Sequence, residues 1–490
     1  MHDHGETDGP VVPAKPLNNA GQQAAEMVEE RGPAKGNTES KTSAGRSTGT
    51  HTYSALDGVR RIATTDKDAK FTALMHHINL DRLRAAYKAI NPKAATGVDA
   101  VTWADYGENL EDNLQDLHRR VQSGAYRAKP VRRVHIPKAN GSFRPLGIAA
   151  LEDKIVQKAT VEVLNAIYEC DFAGFSYGFR PGRSPHNALD ALAAGIKWKK
   201  VNWVLDADIA AYFDSIDKVK LVKFLEHRIA DKRMIHLIQK WLNAGVIENG
   251  EWSQTEEGTP QGATVSPLLA NVYLHYVFDQ WASRWRKQQA HGDMIIVRFA
   301  DDYIVGFEYE ADARQFQEEL RERLAAFNLE LAADKTRLVE FGRHAVRNRK
   351  TWGLSAPETF DFLGFTHISG KTRKGKFMLR RHTSKKKMRT KLHNVKDDLK
   401  RRRHQSISEQ GKWLGSVVRG HCNYYAVPGN TDAVASFRTQ VTRHWLKSLR
   451  RRSQRHRLSW ERMNRIATRW LPPAKCMHPF PDDRFNARFT

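Results

Sequence analysis

Asp301 and Asp302 stand side by side in the stretch RFADDYIVGF, with apolar residues 294–297 (MIIV) before them and Ile304 and Val305 after. Ionised carboxylates are costly to take out of water. A chain that buries these flanks must therefore bring the pair to an edge and give it a charge partner. The simplest local structure is a β-hairpin with both carboxylates at its tip. A second stretch, VLDADIAAYFDSI, sets Asp208 in a similar apolar strand with Val204, Leu205 and Ile209 around it. Two strands that each present an Asp at one end bring the carboxylates together when they lie beside each other in a sheet. Three clustered carboxylates repel unless cations neutralise them, and such hard oxygen ligands suit Mg²⁺. Two ions there would activate an attacking hydroxyl and stabilise the leaving oxygen of an in-line phosphoryl displacement.

The rest of the chain supplies an α+β setting. Residues 1–52 are rich in Gly, Ser, Thr, Pro, Ala and charge, too poor in apolar side chains to offset the entropy of ordering, and are expected to be a disordered tail. Helical spacing of Phe71, Leu74, Ile78, Leu83, Tyr87 and Ile90 predicts a helix, and Leu110, Leu114, Leu117 and Val121 predict another that Gly124 ends. Val134 and Ile136 alternate with polar neighbours before Asn140 and Gly141, which predicts a hairpin with Lys138 and Arg144 flanking its turn. Leu151, Ile155, Ala159 and Val163 predict a helix. Ser266 and Pro267 suit the N-cap and first turn of the next one. FDFLGFTHI reads as a strand, and the chain beyond Lys371 as mostly helical.

Charge divides the chain. Of the net +25, a net +24 lies in residues 371–470, where 29 Lys and Arg face 5 Asp and Glu. Trp413, Leu414, Tyr424, Tyr425, Trp445 and Trp460 are interleaved with those cations. That describes a folded basic domain rather than a tail, and its expected partner is a polyanion, nucleic acid above all. Cys170, Cys422 and Cys476 are far apart and form no CxxC, so zinc-knuckle and disulfide scaffolds are not supported. No long apolar run predicts a membrane span.

The ordered set HIPKANGSFRPLGI, YECDFAGFSYGFRPGRSPHNAL, DADIAAYFDSI, GTPQGATVSPLLANVYL, RFADDYIVGF, LAADKTRLVEF, FDFLGF and VVRGHCNYYAVPGN resembles the bacterial group II intron-encoded reverse transcriptases with maturase activity. The resemblance implies a right-hand polymerase. Fingers and palm would occupy 53–369, a helical basic thumb or maturase (X) domain 370–471, and a short DNA-binding remnant 472–490. It further implies an RNA-directed DNA polymerase that also binds its host intron RNA to assist splicing and mobility. Its expected partners are RNA template, DNA primer, dNTPs and target DNA, and its expected place is the bacterial cytoplasm, at the nucleoid when bound to DNA. Reverse transcriptases of retrons, diversity-generating elements or CRISPR operons, and a splicing-only RNA-binding cofactor, are the alternatives.

Carried over residue by residue, the resemblance implies that Asp208 and Asp301 bridge two Mg²⁺ ions, that Asp302 completes the acidic cluster and that Ile209 adds a backbone carbonyl. Lys138 and Arg144 would hold the incoming triphosphate, Phe213 would stack under the sugar and exclude a 2′-hydroxyl, Gln261 would line the nucleotide pocket and Lys335 would approach the pyrophosphate. Lys385, Lys386 and Lys387, with Arg450, Arg451 and Arg452, are candidate RNA contacts in the basic domain. Two departures stand out: Phe299 replaces the usual Tyr before ADD, and NPKAATGVDA carries alanines where the family has a glycine-rich element. LPPAKCMHPFPDDRF resembles a terminal motif of members lacking the HNH endonuclease domain, so no target-strand cleavage by the protein is expected.

Overall fold

The computed structural model describes residues 50–137, 143–248, 251–253, 258–259, 262–372, 374–452 and 458–486. Of the expected tail, residues 1–49 lie outside these; 50–52 already belong to the helix Thr50–Thr65. The strands are β1 (Val131–Pro137), β2 (Phe143–Ile148), β3 (Trp203–Asp208), β4 (Val246–Glu248), β5 (Glu251–Ser253) and β6 (Met294–Phe299). They continue with β7 (Asp302–Phe307), β8 (Arg337–Glu340), β9 (Phe360–Phe362), β10 (Phe365–Lys371) and β11 (Phe377–Thr383). They form three sheets, ordered β2-β1-β4-β5, β6-β7-β3-β8 and β11-β10-β9.

The middle sheet is antiparallel throughout and buried on both faces. Leu205, Ala207, Tyr303 and Val305 point into the large core built on the helices Leu151–Asp171 and Ser266–Leu274. Val204, Ile304 and Val339 point the other way, into a smaller core with the helix Pro185–Trp198, β9 and β10. Strand alternation sorts the residues between the two. The first sheet contains the expected hairpin: β1 and β2 pair antiparallel with Ile136 opposite Arg144.

Four helices, Lys385–Arg401, Ile407–Tyr425, Thr431–Arg450 and Trp460–Trp470, enclose a third core. Its centre is Trp445, whose indole N–H donates to the buried Gln410 side chain at 2.8 Å. A folded basic unit is therefore present, as the interleaved aromatics predict.

Several local expectations are corrected. Residues 71–90 are not one helix: Phe71 bridges to Ile229, Met75–His77 is a 3₁₀ turn and the α-helix is Leu80–Lys88. Asn79 caps that helix, and the Asp231 carboxylate accepts the Leu74 and Met75 N–H groups, which a continuous helix would have used itself. Ser266 is the first helical residue, with Val265 at the N-cap. FDFLGFTHI is two strands around a turn at Leu363 and Gly364, both at positive φ. Residues 377–383 are a strand where mostly helix is expected; they pair along β10. The expected boundary at 369/370 consequently falls inside β10, and the first helix of the basic unit starts at Lys385.

Candidate active site

β3 and β7 are neighbours, and their register sets Asp208 directly opposite Asp302. Opposed residues of an antiparallel pair share a face, with Cβ atoms about 4.5–5.5 Å apart. Asp206, two residues back on β3, shares that face as well. The face that is apolar at Val204 and Ile304 thus turns acidic where β3 ends and β7 begins. Asp301 occupies the β6–β7 turn, behind Ala300 at φ 59°. Asp208, Asp302 and Asp206 thus share one face with Asp301 in the adjoining turn, near enough for the other three charges to act on Asp302, and Asp206 is one that the sequence reading missed. Its signal was present: in DAD, a strand puts both carboxylates on one side.

Crowding shows in the electrostatics. Loss of surrounding water, and then the charges of Asp208, Asp301 and Asp206, push the Asp302 carboxyl up to about 7, although the residue keeps solvent exposure. Burial pushes Asp206 up to about 6, against the pull of Arg337 at 3.5 Å. The Lys335 ammonium ion-pairs with Asp208, and that hydrogen bond raises the lysine's own pKa. The chain reaches this position because the Ala332 N–H donates to the Asp208 carbonyl at 2.8 Å and Ile209 bridges to Leu331. Among the described residues no three His, Cys, Asp or Glu side chains converge closely enough to enclose a metal ion. Donor chemistry nonetheless suits one: hard carboxylate oxygens crowd until one holds a proton near neutrality, and a lysine cation already sits against Asp208.

Phe213 lies on the 3₁₀ turn Tyr212–Asp214 just after β3, only 8% exposed. Its ring meets Phe179 edge-on at 6.4 Å, and its carbonyl accepts the Thr259 N–H at 2.8 Å. Phe179 is exposed, so Phe213 sits at the border between core and surface. Lys138, Gln261 and the side chain of Arg144 lie outside the described residues.

In the basic unit, Lys385, Lys386 and Lys387 are all exposed on the first turn of their helix. The helix dipole disfavours cations there. Arg450, Arg451 and Arg452 differ from one another: Arg450 gives two N–H groups to the Leu458 carbonyl, and Arg452 donates to the Gln405 carbonyl at 2.5 Å. The unit also reaches the third sheet, where Tyr424 Oη donates to the Leu363 carbonyl at 2.8 Å and the Ser384 N–H to Gly364 at 3.0 Å. Residues 472–486 run from the basic unit to the helix Pro185–Trp198: Met477 N–H donates to the Ala426 carbonyl at 2.8 Å, and Asp482 pairs with Lys197.

A carboxylate edge on an antiparallel sheet, in a chain that also carries a β-hairpin and a basic helical unit, suits a template-directed polymerase. Residues 136–367 match the family model for reverse transcriptase (RNA-dependent DNA polymerase). The chain is 33% identical over 340 residues to Protein YkfC of Escherichia coli (strain K12), covering 60% of this chain and 89% of that protein. It is 34% identical over 226 residues to the group II intron-encoded protein LtrA of Lactococcus lactis subsp. cremoris, 46% of this chain and 37% of LtrA. It is 44% identical over 164 residues to an uncharacterized 91 kDa protein in the cob intron of Schizosaccharomyces pombe, 34% of this chain and 20% of that one. The chain belongs to the reverse transcriptases, the RNA-dependent DNA polymerases, and is similar to group II intron-encoded proteins over less than half the length of those relatives. No helix among the described residues is long and apolar enough to cross a membrane.

Proposed function

We propose that the protein copies an RNA template into DNA at the end of β3 and β7, with Asp208, Asp301 and Asp302 and the Ile209 carbonyl holding two Mg²⁺ ions, and that it binds its host intron RNA to assist splicing and mobility. The observation that carries the reading is Asp208 opposite Asp302 in register, with the Asp302 carboxyl lifted to about 7 by loss of water and its acidic neighbours. Bound cations would supply charge neutralisation and a lowered pKa for the primer hydroxyl. The chain's own groups do the rest. Lys138 and Arg144 bind the triphosphate from the hairpin, Gln261 lines the base pocket, and Phe213 closes the space beside the sugar C2′. Lys335 exchanges its contact with Asp208 for the pyrophosphate, whose developing charge it stabilises.

Fingers and palm occupy the chain from about 53 through β8, and the helices of the thumb or X domain run from Lys385 to about 471. The β9–β11 sheet forms the joint between them, and 472–490 is a short DNA-contacting tail. Lys385, Lys386, Lys387 and Arg451, with Arg450 and Arg452, contact RNA phosphates, and the work takes place in the bacterial cytoplasm. The test is primer extension on an RNA template by Asp301→Ala: synthesis should be abolished while RNA binding persists, and extension near the wild-type rate sinks the reading.

A further inference from the structure

Three residues before Asp301, the Arg298 side chain is fully buried, and so is the Asp279 carboxylate it meets. Arg298 Nε donates to Oδ1 at 2.7 Å and Nη2 to Oδ2 at 2.6 Å, a two-pronged ion pair. The remaining nitrogen, Nη1, donates both to Asn271 Oδ1 at 3.1 Å and to the Ala300 carbonyl at 3.0 Å. Asn271 in turn donates to the Gly178 carbonyl at 2.7 Å. The Arg298 main chain is stitched to the same segment: its N–H donates to Phe175 at 2.9 Å and its carbonyl accepts from Tyr177 at 2.8 Å. Gly178 packs so closely that a Cβ there would lie 2.3 Å from the Ala300 nitrogen.

The helix carrying Asn271 and Asp279 is built for this contact. Eight residues at about 100° each would set the two side chains roughly 80° apart on an unbroken α-helix. His275–Asp279 is instead a π turn, with more residues per revolution, and both side chains reach Arg298. Such single π turns recur at functional sites. Ala300, at φ 59°, occupies the left-handed region that non-glycine residues rarely adopt. Its carbonyl is the one acceptor of the turn that the guanidinium holds. A buried ion pair contributes little stability beyond that of an apolar filling. An apolar filling has no donor for Ala300.

We infer that Arg298, clamped by Asp279 and Asn271, is a positioning residue for polymerisation: it fixes the Ala300 carbonyl and with it the left-handed turn that presents Asp301. This rests on the proposed role of Asp301. The decisive protein is the double variant Asp279→Leu with Arg298→Met, which removes both charges together and fills the space. It is compared with wild type and Asp301→Ala for thermal midpoint, RNA affinity, steady-state extension, and amide hydrogen exchange of 299–301 without metal or nucleic acid.

The expected result is a folded, RNA-binding protein with kcat down about 100-fold, KM for dNTP within about threefold and faster exchange in the turn. Wild-type kcat and exchange, with Asp301→Ala inactive, overturn the inference and leave the proposed function standing; an active Asp301→Ala overturns that function instead. If the double variant does not fold, Arg298→Lys decides by the same readouts. It keeps a charge for Asp279, but its ammonium cannot span Asp279, Asn271 and Ala300 as the planar fork does. Wild-type kcat and exchange in that variant overturn the inference.

Discussion

Replacing Asp302 by Asn should make the protein more stable at pH 8 and inactive as a polymerase. Displacement of the Asp302 carboxyl from its ordinary 3.8 to about 7 amounts nominally to about 4 kcal/mol against the ionised form. Asp302 retains solvent exposure, and screening reduces this to on the order of 1 kcal/mol. The folded protein holds this proton more tightly than the unfolded chain does. Below pH 4 both states carry it and nothing is lost. Between about 4 and 7 the unfolded chain gives it up first, so stability falls as pH rises, and above 7 the whole cost is present. Asn cannot ionise and escapes that cost. For a cooperative unit of about 150–250 residues, about 1 kcal/mol is about 2–4 °C in the thermal midpoint. At pH 5 roughly a third of the gain should remain, since that pH lies about a third of the way through the window. Thermal melts of wild type and Asp302→Asn at pH 5 and pH 8 make the comparison. Added Mg²⁺ should raise the wild-type midpoint at pH 8 more than the variant's, because it binds the folded carboxylates. A variant no more stable than wild type at pH 8, or one whose gain is undiminished at pH 5, would refute the argument that the acidic edge is held against repulsion.

Three further outcomes can be checked directly. Phe213→Ala should admit ribonucleotides more readily and cost about 3 kcal/mol of stability, as truncation of a nearly buried Phe does; lost stability with unchanged sugar discrimination assigns Phe213 to the core alone. Replacing Lys385, Lys386 and Lys387 by Gln should shallow the salt dependence of RNA binding by about 2–3 in log–log slope, one phosphate contact per lysine, as filter binding across a salt series would show. Arg451→Gln should shallow that slope without affecting the melt, whereas Arg450→Gln should lower the thermal midpoint through its lost contacts to Leu458; equal behaviour of the two arginines contradicts the distinction.

The carboxylate edge was legible because strand alternation is short-range: apolar runs around Asp208 and around Asp301 and Asp302 suffice to predict strands with acidic ends. The pairing of β1 with β2 and the basic helical unit were legible for similar reasons, alternation in one and periodic aromatics among cations in the other, while Asn140 and Gly141 lie outside the described residues. The 71–90 segment was misread because its helical spacing holds, while a distant carboxylate, Asp231, accepts the N–H groups of Leu74 and Met75. No local pattern announces a partner more than 150 residues away. The strand β11 was missed because its run of Arg and His reads as a charged helix face; its pairing with β10 and the buried Arg381–Asp190 ion pair at 2.9 Å hold it as a strand.

Arg298 shows why the supports of a site are harder to read than the site. In RFADD nothing local tells which way the Arg298 side chain goes. The structure sends it to Asp279 and Asn271. That choice is consistent with the electrostatics of the edge. An arginine folded back onto Asp301 and Asp302 would neutralise the charge that the proposed cations would meet, whereas Lys335, 61% exposed and ion-paired with Asp208, can leave at little cost. The permanent cation is therefore spent on geometry and the removable one on charge. On the inferred role of Arg298, the acidic edge stays under repulsion but keeps its shape, because the turn that carries Asp301 is fixed from the far face of the sheet.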